Sequence, residues 1–169
     1  MRFTTPYVWA TAFVVVGAIG HSPVLASEAS DVTSRVKQLV DHFNKGDLSG
    51  DMADTLQVID DFPPFFWDGK NALAEWDRAY VEETKRRSIK KTSMTLAERI
   101  HVEVRDDHAY VVVGAVSHFI HRNGRQSREW GILTLALTKT EQTWKVSALT
   151  WSKDTFRKNE IAALETKQR

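Results

Sequence analysis

Residues 58–80 read VIDDFPPFFWDGKNALAEWDRAY, a carboxylate pair and a double proline set between a strand-like run and a helix-like one. Val58 and Ile59 lead into Asp60 and Asp61, and Pro63 with Pro64 then removes two backbone donors, so a strand ends there. Phe65, Phe66 and Trp67 cross to Asp68 and Gly69, a turn signal, after which Leu73, Trp76 and Tyr80 recur at helical spacing. Acids and aromatics therefore converge where a strand meets a helix. Apolar walls with a few placed polar groups are what a small hydrophobic ligand needs.

Upstream of this stretch, Val32, Val36, Leu39, Val40 and Phe43 fall on one face of a first helix, capped by Asp31 and ended by Gly46. Residues 47–51 predict a turn and then a short second helix to about Leu56. Downstream the pattern changes to strands. Residues 96–105 alternate, with Ile100, Val102 and Val104 on one face and Arg99, His101, Glu103 and Arg105 on the other. Two long strands, 109–121 and 127–138, are joined around Asn123-Gly124, the dipeptide that suits a two-residue hairpin because both positions tolerate positive φ. That turn sets His118 opposite Glu129. A last strand covers 143–151.

The order helix, helix, strand, helix, then an antiparallel meander predicts an α+β domain. It is a curved antiparallel sheet wrapped by three helices into a cone with an apolar pocket. Both faces of the long strands carry apolar groups: Val111, Val113 and Ala115 on one side, Tyr110, Val112 and Val116 on the other. With helices on one face, the other needs a partner, so a homodimer is expected through the outer face of the strands bearing Val111, Val113, Ile132, Trp144 and Val146.

Residues 1–26 have Arg2 as their one charge, an apolar run over 7–20 and the close Val24-Leu25-Ala26, the parts of a signal peptide cleaved after Ala26. The run is shorter than the roughly 20 apolar residues of a bilayer span, so no membrane association is expected after cleavage. The domain then occupies 27–153, with a polar tail over 154–169, in the periplasm or outside the cell. The whole chain has 23 basic and 22 acidic residues, and losing Arg2 leaves the signs equal, which argues against a nucleic-acid partner. Zero cysteines exclude thiol chemistry and cysteine-bound metals. His118 and His121, three apart on a strand, point to opposite faces, so no metal site is expected from them.

Asn44-Lys45-Gly46-Asp47 after the first helix, Asp60-Asp61-Phe62 followed by Trp67-Asp68-Gly69, and Trp144-Lys145-Val146 leading to Trp151-Ser152 give the chain its resemblance. It resembles the nuclear transport factor 2-like superfamily, and within it the SnoaL-like and ketosteroid isomerase-like proteins, over roughly residues 32–152. The resemblance implies a cone-shaped fold, a general base at Asp61 or its neighbour Asp60, and no cofactor. It also implies oxyanion donors at positions that here hold Leu39 and either Leu133 or Thr134, none of them the tyrosine or acid of the isomerases, so steroid isomerisation by that mechanism is not expected. Asp61 and His118 are the candidate acid/base pair, with Asp60, Phe65, Trp67, Trp76, Tyr80, Glu129 and Trp151 as ligand-binding residues. Three functions follow: an exported domain that binds a small apolar or aromatic molecule; a cofactor-independent isomerase, dehydratase or cyclase using Asp61 and His118; or a structural dimerisation domain whose cavity is filled by its own side chains. His118 and Glu129 also make sense as a plain cross-strand pair, and the acids before the prolines as a turn cap.

Overall fold

The computed structural model describes residues 23–154. Most of residues 1–26, the expected leader, and all of the expected tail beyond Asp154 lie outside that range. The elements run α1 (Pro23–Lys45), β1 (Met52–Ile59), β2 (Phe66–Gly69), α2 (Ala72–Arg86), β3 (Ile89–Arg105), β4 (His108–His121), β5 (Gln126–Thr140) and β6 (Thr143–Lys153). The α+β class is as expected; the second helix is not. Residues 52–56 form the start of β1, because Met52, Leu56 and Val58 are buried on one side of a strand that pairs antiparallel with β2 and parallel with β6. Local spacing over 52–56 suits helix or strand equally, and the sheet partners decide it.

α1 begins eight residues before Asp31, so Asp31 sits exposed within the helix and caps nothing. Its end is as read: Gly46 adopts φ 80, and the amides of Gly46 and Asp47 donate to the carbonyls of Phe43 and His42 at 3.0 Å each. Val32, Val36, Leu39 and Val40 are buried on one helix face. Each such side chain is worth about 1.5–3 kcal/mol once removed from water. α1 packs over β3, and α2 over β1, β2 and β3.

The six strands form one curved sheet in the order β2-β1-β6-β5-β4-β3. Along β4 the alternation is strict: Ala109, Val111, Val113, Ala115, Ser117 and Phe119 are buried, and the residues between them are not. This corrects the expected dimer face. Val111, Val113, Trp144 and Val146 belong to the core beneath the helices, and of the five residues only Ile132 lies on the outer face. That face is still apolar, with Tyr110 48%, Ile132 44% and Trp130 37% exposed.

The β4–β5 hairpin is also one residue longer at its tip than a two-residue turn. The His121 amide donates to the Arg125 carbonyl at 2.8 Å, and Gly124, at φ 83, donates back to His121 at 3.0 Å. Arg122, Asn123 and Gly124 thus form a three-residue loop closed by a left-handed glycine. The extra residue shifts the register by one, pairing His118 with Arg128 and Ser117 with Glu129. Since side chains alternate with period two, the shift separates His118 from Glu129 onto opposite faces.

Candidate functional site

A cavity of about 80 Å³ lies between the helices and the inner sheet face, walled by side chains from α1, β1, α2, β4, β5 and β6. Leu39, Val58, Leu73, Phe119 and Leu133 make its sides apolar, and Asp60 is the carboxylate set deepest among them. Asp60 follows the last residue of β1, where the double proline, with a cis bond between Pro63 and Pro64, turns the chain back into β2. Its Oδ2 accepts a hydrogen bond from the Trp76 indole Nε1 at 2.9 Å, and its Oδ1 accepts from the Asp61 amide at 2.8 Å. Burial pushes its pKa from 3.8 up to about 6, against the opposing pull of those two hydrogen bonds. A carboxyl group of that affinity takes and returns protons near neutral pH.

Trp76 and Tyr80 are neighbours on one face of α2, their rings stacked with centroids 5.1 Å apart. The Tyr80 hydroxyl is buried with no partner at hydrogen-bond geometry, although the Thr92 hydroxyl is close enough to influence it. Desolvation pushes the phenol up to about 12, with Thr92 pulling the other way, so it keeps its proton and is a standing donor on the cavity wall. Leu39 and Leu133, two of the three positions that the resemblance matches to the isomerases' oxyanion donors, are buried apolar wall. Tyr80 is a donor from a different element.

Of the residues singled out from sequence, Asp60, Asp61, Trp76, Tyr80, Glu129 and Trp151 come together around this cavity. Asp61 is at the rim, part-exposed, 3.9 Å from the Lys153 ammonium. His118 is not among them: on the outer face its Nε2 lies 3.0 Å from the Thr95 hydroxyl. The Asp61–His118 pair is therefore not assembled. Phe65 and Phe66 are exposed, since a turn closed by the Phe65 amide on the Phe62 carbonyl (2.8 Å), with Phe65 at φ 73, swings them outward. Trp67 is buried against Phe62, ring centroids 5.3 Å apart, as core behind the cavity.

Sequence reading missed Arg87 and Lys153. Both bind Glu129 Oε1, at 2.5 and 2.8 Å, and Arg87 also lies over the Phe119 ring, 4.7 Å from its centroid. Burial raises the proton affinity of Glu129, but the Lys153 hydrogen bond and the two cationic charges outweigh it, so its pKa falls and it stays ionised. The signal for Arg87 was present: Trp76, Tyr80, Glu83 and Arg87 occupy the i, i+4, i+7 and i+11 positions of one helical face. The run Lys85-Arg86-Arg87 also suits the C-terminal end of a helix as favourable charge, and that local sense of it conceals the pairing with Glu129. Gly131 leaves the space that the Trp151 ring fills, since a Cβ there would meet that ring at 2.5 Å and the Ser152 carbonyl at 2.8 Å.

No protein-family model and no curated protein matches the chain. Solved structures do. A nuclear transport factor 2-like superfamily protein from Salmonella enterica superposes with a TM-score of 0.64 at 15% identity, covering 77% of this chain and 93% of that one. A hexachlorocyclohexane dehydrochlorinase from Novosphingobium barchaimii gives 0.62 at 12% identity, over 78% and 88%. The association domain of C. elegans CaMKII gives 0.55 at 15%, over 76% and 98%. The domain has the nuclear transport factor 2-like, SnoaL-like fold.

Proposed function

We propose that this domain forms a cone whose cavity binds a small, largely apolar or aromatic molecule. One observation carries the reading: a single deeply buried carboxylate among aromatic and aliphatic walls, held by two donors. Saturable binding of a neutral one-ring probe, 3-phenylpropanamide, is expected by calorimetry, with strong weakening in Leu73→Phe, which narrows the cavity. Absence of binding in both proteins would favour a structural domain filled by its own side chains.

A second reading is favoured by the proton affinity of Asp60. The bound molecule is isomerised or dehydrated without a cofactor, Asp60 accepting the proton and Tyr80 donating a hydrogen bond to developing negative charge. Asp60 takes the role assigned from sequence to Asp61 and His118. The likeness of the fold to that of a dehydrochlorinase supports this without naming a substrate.

Export and pairing complete the proposal. Cleavage after Ala26 would trim the first turn of α1 and leave its buried face intact. N-terminal sequencing of the extracytoplasmic protein is expected to begin at Ser27, and a membrane-bound product retaining Met1 would refute the leader. The outer face bearing Tyr110, Trp130 and Ile132 is the proposed homodimer contact, and the likeness to an association domain supports it. Light scattering at micromolar concentration is expected to give twice the mass of the mature chain, and Ile132→Asp to halve it. A monomer before substitution would refute the pairing.

A further inference from the structure

Beside the apolar cavity lies a second cleft of about 500 Å³, lined by Arg87, Arg125, Arg128, Lys153 and His121, with Glu129 and Asp154 as its acids. Four permanent cations thus line it with two carboxylates, Arg128 from the outer sheet face and Glu129 from the inner one, in a domain whose charges otherwise nearly balance. The two spaces share a wall, because Arg87 and Glu129 line both. We infer that this cleft is the anion subsite of the same binding site, so that the ligand is an amphipathic acid: an apolar body in the cavity and a carboxylate, or an anion of like size, among Arg87, Arg125 and Arg128. The inference rests on the cavity-binding reading above and names the class of ligand it takes.

The cleft is built on a fixed frame. The Arg87 side chain is clamped between Glu129 and the Phe119 ring, while its carbonyl lies 3.2 Å from His121 Nδ1. A carbonyl only accepts, so Nδ1 carries a proton. On the far side of the ring, Nε2 is 2.8 Å from the Ser127 hydroxyl and 3.4 Å from the Arg125 guanidinium. His121 therefore sets Arg87 and Arg125 on either side of one buried ring. Glu129 Oε1 takes one guanidinium nitrogen of Arg87 and the Lys153 ammonium, leaving both cations further N–H donors. Among the described residues Arg128 has no ion pair, and no carboxylate pairs with Arg125. Guanidinium groups are suited to carboxylates because their N–H groups match the two oxygens in a plane.

The test compares two probes of one shape, 3-phenylpropionate and its neutral amide 3-phenylpropanamide, by calorimetry on the full domain. At about 50 mM salt the acid is expected to bind about tenfold or more tightly than the amide. At about 500 mM that preference should shrink, because exposed charges are then screened beyond a few ångströms. The Arg125→Ala, Arg128→Ala double variant should lose the preference while keeping its affinity for the amide, and Arg125→Lys with Arg128→Lys should restore most of it. These two side chains are exposed and outside the Glu129 ion pairs, so the fold is expected to survive. Equal affinities of acid and amide, or a preference that survives the double alanine variant, would overturn the subsite and leave the cavity reading standing. Failure of both probes to bind would overturn the cavity reading and the subsite with it.

Discussion

Asp51→Ala is expected to destabilise the domain by about 2–4 kcal/mol, lowering its melting temperature by roughly 6–16 °C. Asp51 is fully buried at the junction of three elements. Its Oδ2 pairs with His42 Nδ1 at 2.8 Å, and its Oδ1 lies 2.9 Å from the Arg35 guanidinium, an ion pair without hydrogen-bond alignment. The backbone of Asp51 is occupied as well: its amide donates to the Leu48 carbonyl and its carbonyl accepts from Val146, at 3.0 and 2.9 Å. One residue thus ties the middle and end of α1 to the start of β1 and to β6. Removing the carboxylate leaves the Arg35 guanidinium, whose Nε is already buried without a hydrogen-bond partner, with no counter-charge beside it. Breaking a fully buried pair costs about 3–5 kcal/mol. The lower figure here reflects the partial solvent access of Arg35 and His42, which lets both turn toward water. Asp51→Asn keeps volume and one acceptor and should fall between. Denaturant melts of the three proteins decide it, and an alanine variant within about 0.5 kcal/mol of the parent would mean that the ion pairs add nothing.

Asp51 also shows how far the sequence was legible. The amphipathic pattern of Val32, Val36, Leu39 and Val40, the glycine stop at Gly46, the helix carrying Trp76 and Tyr80, and the alternation of β4 were all readable, because each is a local period repeated over several turns or pairs. What failed was set at a distance. Residues 52–56 took their conformation from β2 and β6. The hairpin tip admitted one residue more than Asn123-Gly124 alone suggests, and that step removed His118 from the cavity and brought in Ser117. Which of two adjacent aspartates points inward also depends on where the strand is twisted at its end: Asp60 is buried and Asp61 faces the rim, although their local sequence is almost symmetrical. Arg87 and Lys153 meet only because Glu129 lies between them, a junction of three elements that no single stretch announces.

The strongest pH-dependent effect is expected at Asp60. Burial raises its carboxyl pKa from 3.8 to about 6, so ionising it costs more in the folded chain than in the unfolded one. The stability attached to its protonated form is therefore fully present below about pH 4 and is lost as pH rises through 6, amounting to about 3 kcal/mol by pH 8. Asp60→Asn does not titrate. Its stability relative to the parent should accordingly rise by about 3 kcal/mol between pH 3 and pH 8. A constant offset is expected on top, because an amide has one oxygen where Asp60 offers two, and either the Trp76 indole or the Asp61 amide loses its acceptor, at about 1–3 kcal/mol. The offset cancels when the two pH values are compared, so the slope isolates the carboxyl group from the hydrogen bonds. The same substitution removes the proton acceptor of the proposed reaction, and turnover of any substrate should disappear in the variant while in the parent it climbs through pH 6. Binding of the neutral probe in Asp60→Asn would persist, since the apolar walls are unchanged. A stability difference that stays flat from pH 3 to pH 8 would show that Asp60 is not desolvated in the fold, and would remove the physical ground for giving it the proton.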